Sequence, residues 1–211
     1  GGRPRVLGLG EDRRRRRALP LTPVTRAGWP AFAKTLGARQ RRWAEASGFA
    51  GQAGAFCQLP DAHGGSARVL CGIDPALPPF ALGHLPYRLP ADDYRLDGDA
   101  LSAHDAALGW ALGSYRFARY RDAHVEPARL LLPRTVLDEV APTVEAVTRL
   151  RDMINTPAQD MGPAEVCAAV REVAARFGAR CREWNGDGLL KAGFPTVHAV
   201  GRASPRAPRV I

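Results

Sequence analysis

The alternation of apolar and polar positions over residues 19–133 predicts strands separated by helices. The segment LPLTPVT (19–25) is rich in proline and β-branched residues, which predicts an edge strand or the start of a strand. Two short apolar runs, 53–59 and 67–73, are joined by the turn-rich DAHGG and predict a β-hairpin. The continuous apolar run ARLLLP (128–133) is typical of a central strand covered on both faces.

Helical spacing predicts three helices among and after these strands. The first covers residues 27–47, the second begins at a cap on Asp99 or Ser102 and ends near Arg121, and the third covers 134–156. The apolar face of the first comprises Trp29, Phe32, Leu36 and Trp43. The third helix has few large apolar side chains, which suits a linker between two domains.

The net charge of +9 is concentrated at the start of the chain. Residues 1–17 hold seven arginines against Glu11 and Asp12, a charge of +5, which leaves +4 for the other 194 residues. This Arg-rich leader has no apolar periodicity, so we expect residues 1–17 to be disordered.

A run of five arginines, Arg13–Arg17, would attract any polyanion. A free-standing basic α/β binding module, with nucleic acid as the ligand, therefore stays open as an alternative function. The absence of aromatic residues from 1–17 removes a stacking surface for bases and disfavours a dedicated nucleic-acid function.

Nothing in the chain predicts a membrane span or a secretory signal, since no apolar run approaches the roughly 20 residues that a bilayer requires. The four cysteines are far apart and form no CxxC pair. They are Cys57, Cys71, Cys167 and Cys181. This spacing favours buried free thiols in a reducing cytoplasm over a zinc cluster or a disulfide scaffold.

The histidines and acidic residues give no metal-binding pattern. The five histidines occur singly: His63, His84, His104, His124 and His198. His198, in VHAV, is expected to be a hydrogen-bonded structural residue, and Asp105 to favour a helix start. A loose acidic group, Asp92, Asp93, Asp97 and Asp99, lacks the glycine and terminal glutamate of an EF-hand loop and is expected to be solvated.

The string LRDMINTPAQDMGP (150–163) predicts a helix end, a turn and a new helix. Pro157 disfavours the α conformation at Thr156 and ends the first helix. Pro163 suits the first position of the next helix, where its missing N–H costs nothing. Asn155 and Asp160 flank the turn and are expected to bond backbone groups in it. We call residues 155–163 the junction.

Beyond the junction, the pattern predicts a helix ending at Gly178, then the strand ARCREW (179–184) and a short helix capped by Asp187. The apolar positions of the longer helix are Val166, Val170, Val173 and Phe177. The stretch FPTVHAVGRAS (194–204) follows, and PRVI (208–211) predicts the start of another strand.

LRDMINTPAQDMGP and FPTVHAVGRAS resemble the leucyl (cytosol) aminopeptidase family, most closely its short proteobacterial type related to the B-type peptidase. The resemblance is specific over 150–211 and looser over 19–133. It implies an α/β fold with a small mixed-sheet N-terminal domain (18–133), a linker helix (134–156) and the beginning of an α/β catalytic domain (157–211). The resemblance also makes the junction a structural element of the family, and its residues in this chain are Asn155, Thr156, Pro157, Asp160 and Pro163.

The resemblance also implies two-metal hydrolysis of peptides at their N-terminus, with Mn or Zn as the metal, in a cytoplasmic hexamer. The family's metal ligands and catalytic residues follow the strand that begins at Pro208, and its Gly-Lys-Gly and Asp-Thr/Ser-Gly-Gly segments are missing from these 211 residues. We therefore expect no catalytic or metal-binding residue in this N-terminal portion, which should be inactive alone. We also expect it to self-associate or to be poorly ordered over 160–211.

Overall fold

A six-stranded mixed sheet forms the centre of the first part of the chain. The computed structural model describes residues 7–12, 17–120 and 125–211, and the chain divides into two units, 1–148 and 149–211. The strands of the sheet are β1 (Leu9–Glu11), β2 (Leu19–Thr25), β3 (Phe56–Pro60), β4 (Ser66–Ile73), β5 (Asp93–Leu96) and β6 (Arg129–Leu132). Their order is β1-β6-β5-β2-β4-β3, and all neighbours are parallel except the β3–β4 hairpin. The fold is α/β, as the resemblance implied.

Helices pack against this sheet, and the buried residues form two hydrophobic clusters. The helices are α1 (Trp29–Ala33), α2 (Ala38–Ala46), α3 (Ala103–Gly113) and α4 (Arg134–Asn155), together with a 3₁₀ turn at Pro78–Phe80. The larger cluster joins the strands to α3 and α4 through Trp110, Tyr94 and Val140. The smaller cluster lies under α1 and α2 and contains Phe49 and Leu59.

The expectation that 19–25 is an edge strand is wrong, because β2 lies between β5 and β4. The positions of its prolines explain how a central strand tolerates them. Pro20 precedes the first pair with β4, Leu21↔Val69. The backbone nitrogen of Pro23 faces the same side of β2 as the backbone of Leu21, two residues earlier. On that side, the carbonyl of Leu21 accepts from Asp97 N, just after β5 ends. At each proline, the missing N–H would thus point to the side of β2 on which no strand is paired with that residue.

Two of the predicted helices are shorter than expected. The segment 27–47 is broken into α1 and α2, because Gly37 adopts an extended conformation (φ −58°, ψ 149°) before α2. Trp43 accordingly points outward, and Ala44 is the buried residue of α2. The helix expected to reach Arg121 ends at Gly113, where Ser114 N bonds the carbonyls of Trp110 and Ala111. Its start agrees with the prediction, since Ser102 Oγ accepts from Asp105 N at 3.0 Å.

The leader is not uniformly irregular, so the expectation of disorder is wrong for part of it. Leu9–Glu11 form β1 and pair in parallel with Leu130, Leu131 and Leu132. Asp12 continues this connection through an ion pair of 2.7 Å between its Oδ1 and Arg95 Nη2. Residues 1–6 and 13–16, which include most of the arginines, lie outside the described residues.

The second unit contains short elements after α4. They are α5 (Pro163–Phe177), β7 (Trp184–Asn185), α6 (Gly188–Lys191), α7 (Pro195–Gly201) and β8 (Arg209–Val210), with β7 and β8 antiparallel. The predicted strand 179–184 is wrong except at its last residue, because pairing with β8 begins only at Trp184. The predicted end of α5 is confirmed, since Gly178 has the left-handed conformation (φ 67°). In the described part of the chain, no helix is long and apolar enough to cross a membrane.

Candidate functional site

The junction connects the end of α4 to α5 through local hydrogen bonds. Thr156 is buried, and its Oγ1 donates to the carbonyl of Asp152 at 2.6 Å. Asp160 N then bonds the carbonyl of Pro157 at 2.8 Å, which closes the turn. These bonds replace the helical pattern at the point where Pro157 interrupts it. The result is a hydrogen-bonded turn between the last residues of α4 and the start of α5.

Glu165 secures the start of α5. Its Oε2 accepts from the backbone N–H of Gly162 at 2.9 Å, as the third residue of a helix does in a capping box. The backbone N–H of Glu165 itself is the main cause that lowers the pKa of this carboxyl below its usual range, the bond from Gly162 adds to it, and the charges of Arg206 and Arg209 lower the pKa further. The Gly-Pro-x-Glu spacing is a sequence signal that could have identified Glu165.

Arg206 is the residue that sequence reasoning missed at the junction. Its guanidinium donates to the carbonyl of Ala158 (2.6 Å) and to that of Gln159. It also lies against Gly162, where an added Cβ would come within 2.7 Å of Arg206 Nη1. Because Arg206 follows the junction by more than forty residues, no local pattern predicts this contact.

A second ionic group links the strands of this unit. Glu183 accepts hydrogen bonds from Arg209, at the start of β8, and from Arg171 of α5. The bond from Arg209 is the main cause that lowers the pKa of Glu183, and the charge of Arg171 adds to it. The Glu183 side chain is only 18% exposed, so the group holds a largely buried carboxylate in its charged form.

His198 is hydrogen-bonded, as its setting predicted, but its partner was not foreseen. Its Nε2 lies 3.0 Å from Asp187 Oδ1. Asp187 was expected to cap α6, yet its side chain makes no cap hydrogen bond there. The pair connects the start of α6 to α7, and the exposure of Asp187 places it at the surface rather than in a cleft.

The other single histidines are dispersed. His63 donates its backbone N–H to Asp61, and His104 Nδ1 is 3.9 Å from Asp105. His84 Nε2 is buried without a hydrogen-bond partner among the described residues, and burial lowers the pKa of this imidazole. His124 lies outside the described residues.

The acidic group around β5 is part of the sheet rather than a cation site. Asp93 forms an ion pair of 2.7 Å with Arg129 on β6, and its side chain is largely buried. Asp97 pairs with Arg68 at 3.3 Å and accepts from Thr22 at 3.0 Å. The expectation of a solvated loop is therefore wrong for Asp93, whereas Asp97 follows the end of β5 and its side chain is 45% exposed. Both are held by charges and donors on neighbouring strands.

The thiols are free, and most of them are buried. Cys57, Cys71 and Cys167 are buried, whereas Cys181 is exposed, which corrects the prediction for that residue. Burial raises the pKa of the Cys71 thiol far above its usual range, so it stays protonated and behaves as a small apolar side chain.

Each unit has a surface cavity lined by described residues. The first, about 560 Å³, is lined by residues that include Tyr87 and Arg116, whose guanidinium stacks 4.1 Å from the Tyr87 ring centroid. The second, about 500 Å³, is mostly apolar and is lined by Val197, Val200 and Arg206 among others. The lining residues of both include no histidine or cysteine.

The donor sets of the described residues do not fit a pair of divalent metals. Within the described ranges, no group of three or more His, Cys, Asp or Glu side chains could hold an ion. The best-placed candidates already have protein partners, as with His198 and Asp187 or Asp93 and Arg129.

Comparison with known proteins identifies the family to which the two units belong. The family model for the M17 aminopeptidase N-terminal domain matches residues 19–133, more than half of the chain. The chain belongs to the M17 cytosol aminopeptidase family. A second model, for the catalytic domain of the cytosol aminopeptidase family, matches residues 148–211. The junction, Glu165 and Arg206 thus all lie in the matched part of the M17 catalytic domain.

Solved structures of M17 enzymes share this fold. The cytosol aminopeptidase of Coxiella burnetii is 35% identical, with a TM-score of 0.81 over 92% of this chain and 43% of that one. The bottromycin maturation enzyme BotP is 26% identical, with a TM-score of 0.70 over 92% of this chain and 45% of its own. A probable cytosol aminopeptidase of Leifsonia xyli is 31% identical over 84% of this chain and 40% of its own length. The chain thus spans less than half the length of these relatives.

Proposed function

We propose that this chain supplies the N-terminal domain and the first part of the catalytic domain of a two-metal leucyl aminopeptidase that removes N-terminal residues from peptides. The match of both M17 domains, in order, within one chain carries the proposal. The similarity to the Coxiella burnetii cytosol aminopeptidase over 92% of the chain supports it. The 211 residues alone are inactive in this proposal, because their described donors do not assemble a metal site.

The metals, substrates and assembly belong to the same proposal. Two divalent ions, Mn or Zn, bind to residues outside these 211, and one structure of the relative BotP contains Mn. The substrates are peptides with a free amino terminus, and the full enzyme is a hexamer. Three buried free thiols and the "cytosol" names of the relatives support a cytoplasmic location.

Two measurements test this function. The purified chain with Mn²⁺ or Zn²⁺ is expected to show no turnover of leucine p-nitroanilide. A fusion in which this chain replaces the matching part of the Coxiella burnetii enzyme is expected to hydrolyse it in a metal-dependent manner, with EDTA treatment as the control. Turnover by the 211 residues alone would refute their inactivity. A folded fusion without aminopeptidase activity would contradict the family function.

A further inference from the structure

The cavity of the first unit, about 560 Å³ in volume, lies where several segments of the chain meet. Among its lining residues, Leu7 precedes β1, Arg116 follows α3, and Glu126 precedes β6. Because β1 and β6 are parallel neighbours, their amino ends lie at the same edge of the sheet, and the cavity is at that edge. Its volume is in the range of small-molecule sites, about 300–1,000 Å³.

Hydrogen bonds connect the segments that surround this cavity. Ala128 N, at the start of β6, donates to the carbonyl of Pro86 at 2.7 Å. The next residue, Tyr87, donates from its hydroxyl to the carbonyl of Ser114 at 2.9 Å. The ring of Tyr87 is therefore held in place between the end of α3 and the start of β6. A site built on connected segments has less to order when a ligand binds.

Arg116 is a cation of this cavity that has no acidic partner. Its guanidinium lies over the Tyr87 ring, 4.1 Å from the centroid, and it forms no ion pair within the described ranges. Arg129, which also lines the cavity, is instead paired with Asp93 at 2.7 Å. A guanidinium stacked on an aromatic ring keeps its in-plane N–H groups, and these match a carboxylate through two parallel hydrogen bonds.

The lining also offers a carboxylate and an apolar surface. Glu126 is exposed and has no ion-pair partner among the described residues. Leu7 and Val125 are 44% and 71% exposed, while Leu9 beside them is buried. A ligand that covers Leu7 and Val125 would remove apolar surface from water, which favours binding. The cavity thus combines one unpaired positive charge, one unpaired negative charge and an apolar wall.

We propose that this cavity binds a free apolar α-amino acid. The ligand's carboxylate binds Arg116, its ammonium group pairs with Glu126, and its side chain covers Leu7 and Val125. A phosphate is a poorer ligand, because it would meet Glu126 as a like charge and would leave the apolar wall uncovered. The inference goes beyond the proposed function and does not rest on it, since the cavity belongs to the first unit and lies outside the catalytic-domain match.

Titration calorimetry of the 211-residue chain tests the three contacts with leucine and its analogues. Leucine is expected to bind saturably at one site. Leucinamide lacks the carboxylate, N-acetyl-leucine lacks the ammonium group, and glycine lacks the side chain. Leucinamide and glycine are each expected to bind at least about tenfold more weakly than leucine, because each loses one of the proposed contacts. These comparisons use the wild-type chain, so they do not depend on the folding of a variant.

Matched arginine variants locate the carboxylate contact. Arg116→Gln is expected to weaken leucine binding at least about tenfold, because the charged two-bond contact is lost. Arg119→Gln is the control, since Arg119 is also exposed and lies 5.5 Å from the Tyr120 ring centroid but does not line the cavity. It should change leucine binding less than about twofold. Equal effects of the two variants would overturn the proposal.

Glu126→Gln tests the ammonium contact. It is expected to weaken leucine binding at least about threefold and to change the weaker binding of N-acetyl-leucine less than about twofold, because that analogue has no ammonium group. Such non-additivity of a side-chain change and a ligand change indicates that the two groups interact. Equal losses for both ligands would contradict the assignment of the ammonium group to Glu126.

Three further outcomes would overturn the proposal. The first is the absence of saturable leucine binding to the wild-type chain. The second is binding of leucinamide as tightly as leucine, which would show that the carboxylate is not recognised. The third is binding of inorganic phosphate as tightly as leucine, which would reduce the cavity to a general anion site. None of these results would affect the proposed aminopeptidase function, which the fusion measures separately.

Discussion

Arg206 shows how one side chain can hold a distant turn in place. It bonds the carbonyls of Ala158 and Gln159, which Pro157 and the end of α4 leave without helical partners. It also lies where a side chain at position 162 would point, so a larger residue there would make the Arg206 side chain shift. The first turn of α5 and the final segment of the chain therefore depend on each other.

We expect Arg206→Ala to destabilise the junction by about 1 kcal/mol, because two exposed carbonyls lose a charged donor. Amide exchange of residues 156–162 measures this as faster local opening. Arg202→Ala is the matched control, since Arg202 is exposed and only its backbone contributes a cap bond to α7. Equal acceleration in both variants would show that the Arg206 contacts do not stabilise the turn.

Glu183 should make the β7–β8 pair sensitive to acid. Arg209 and Arg171 lower the pKa of folded Glu183 below the ordinary value of 4.5. Its stabilising effect is therefore complete above about pH 4.5 and is lost as the pH falls through the lower, folded pKa. We expect the opening free energy of the β7–β8 amides to decline on acidification, and Glu183→Gln to flatten that decline.

The control for this prediction is Glu172→Gln. Glu172 also pairs with an arginine, Arg149, but its side chain is 69% exposed and does not contact either strand. It should leave the acid dependence of β7–β8 unchanged. A wild-type decline that persists in Glu183→Gln would assign the acid sensitivity to another group.

At the scale of elements, α3 is held by a close backbone approach. A Cβ on Gly113 would lie 1.9 Å from the carbonyl oxygen of Gly83 and 2.7 Å from its Cα. Gly113→Ala should therefore separate α3 from the segment before β5 and lower the free energy of unfolding by about 1–3 kcal/mol, as overpacking does. Chemical denaturation measures the change.

Gly37→Ala provides the comparison. Nothing lies within 4 Å of a Cβ at Gly37, and its backbone conformation suits any residue. Its effect should stay below about 1 kcal/mol, because a lost cap preference and a less flexible unfolded chain nearly offset each other. A similar loss in both variants would contradict the role of close packing at Gly113.

The elements that the sequence predicted well are those with a strong local signal. Gly178, the β3–β4 hairpin and the apolar run of β6 each combine a clear pattern with a recognisable boundary. The central position of β2 was not predictable, because whether a proline is tolerated depends on which neighbouring strand is present at that residue. The break at Gly37 was missed because the apolar spacing continues across it.

The contacts of the second unit also divide into local ones, which the sequence predicts, and distant ones, which it does not. Thr156, Pro157 and Pro163 affect only residues close to them in the sequence, so the conformation around them could be predicted from the sequence. The contacts of Arg206, Glu183 and His198 join residues eleven to forty-eight positions apart. Such contacts depend on how the elements pack, and no local pattern specifies them.

At the scale of the whole molecule, the presence of β1 determines which variant can test the arginine run for nucleic-acid binding. Deletion of residues 1–17 would also remove β1, a paired strand of the sheet. Substitution of Arg13–Arg17 by glutamine avoids this. We expect the wild-type chain to bind duplex DNA only weakly, without sequence preference and with a steep salt dependence, and the substituted chain to lose this binding. Sequence-specific binding that survives the substitution would favour the alternative of a nucleic-acid-binding module.

The two units should differ strongly in their capacity to fold alone. Residues 1–148 contain both hydrophobic clusters, with Trp110, Tyr94, Leu21, Leu70 and Leu130 fully buried. Residues 149–211 bury only three hydrophobic side chains. Because burial of apolar surface is the main source of folding free energy, the first unit should be independently stable and the second should not.

Separate expression of the two units measures this difference. We expect residues 1–148 to unfold in one cooperative transition in urea, and residues 149–211 to show no such transition. In the intact chain, amides of β4 and β6 should exchange only by global unfolding, while those of α5 exchange by local opening. Cooperative unfolding of isolated 149–211 would mean that its ionic contacts, such as Glu183 with Arg209, suffice without a larger core. Loss of structure in 1–148 alone would instead show that this unit's core depends on the rest of the chain.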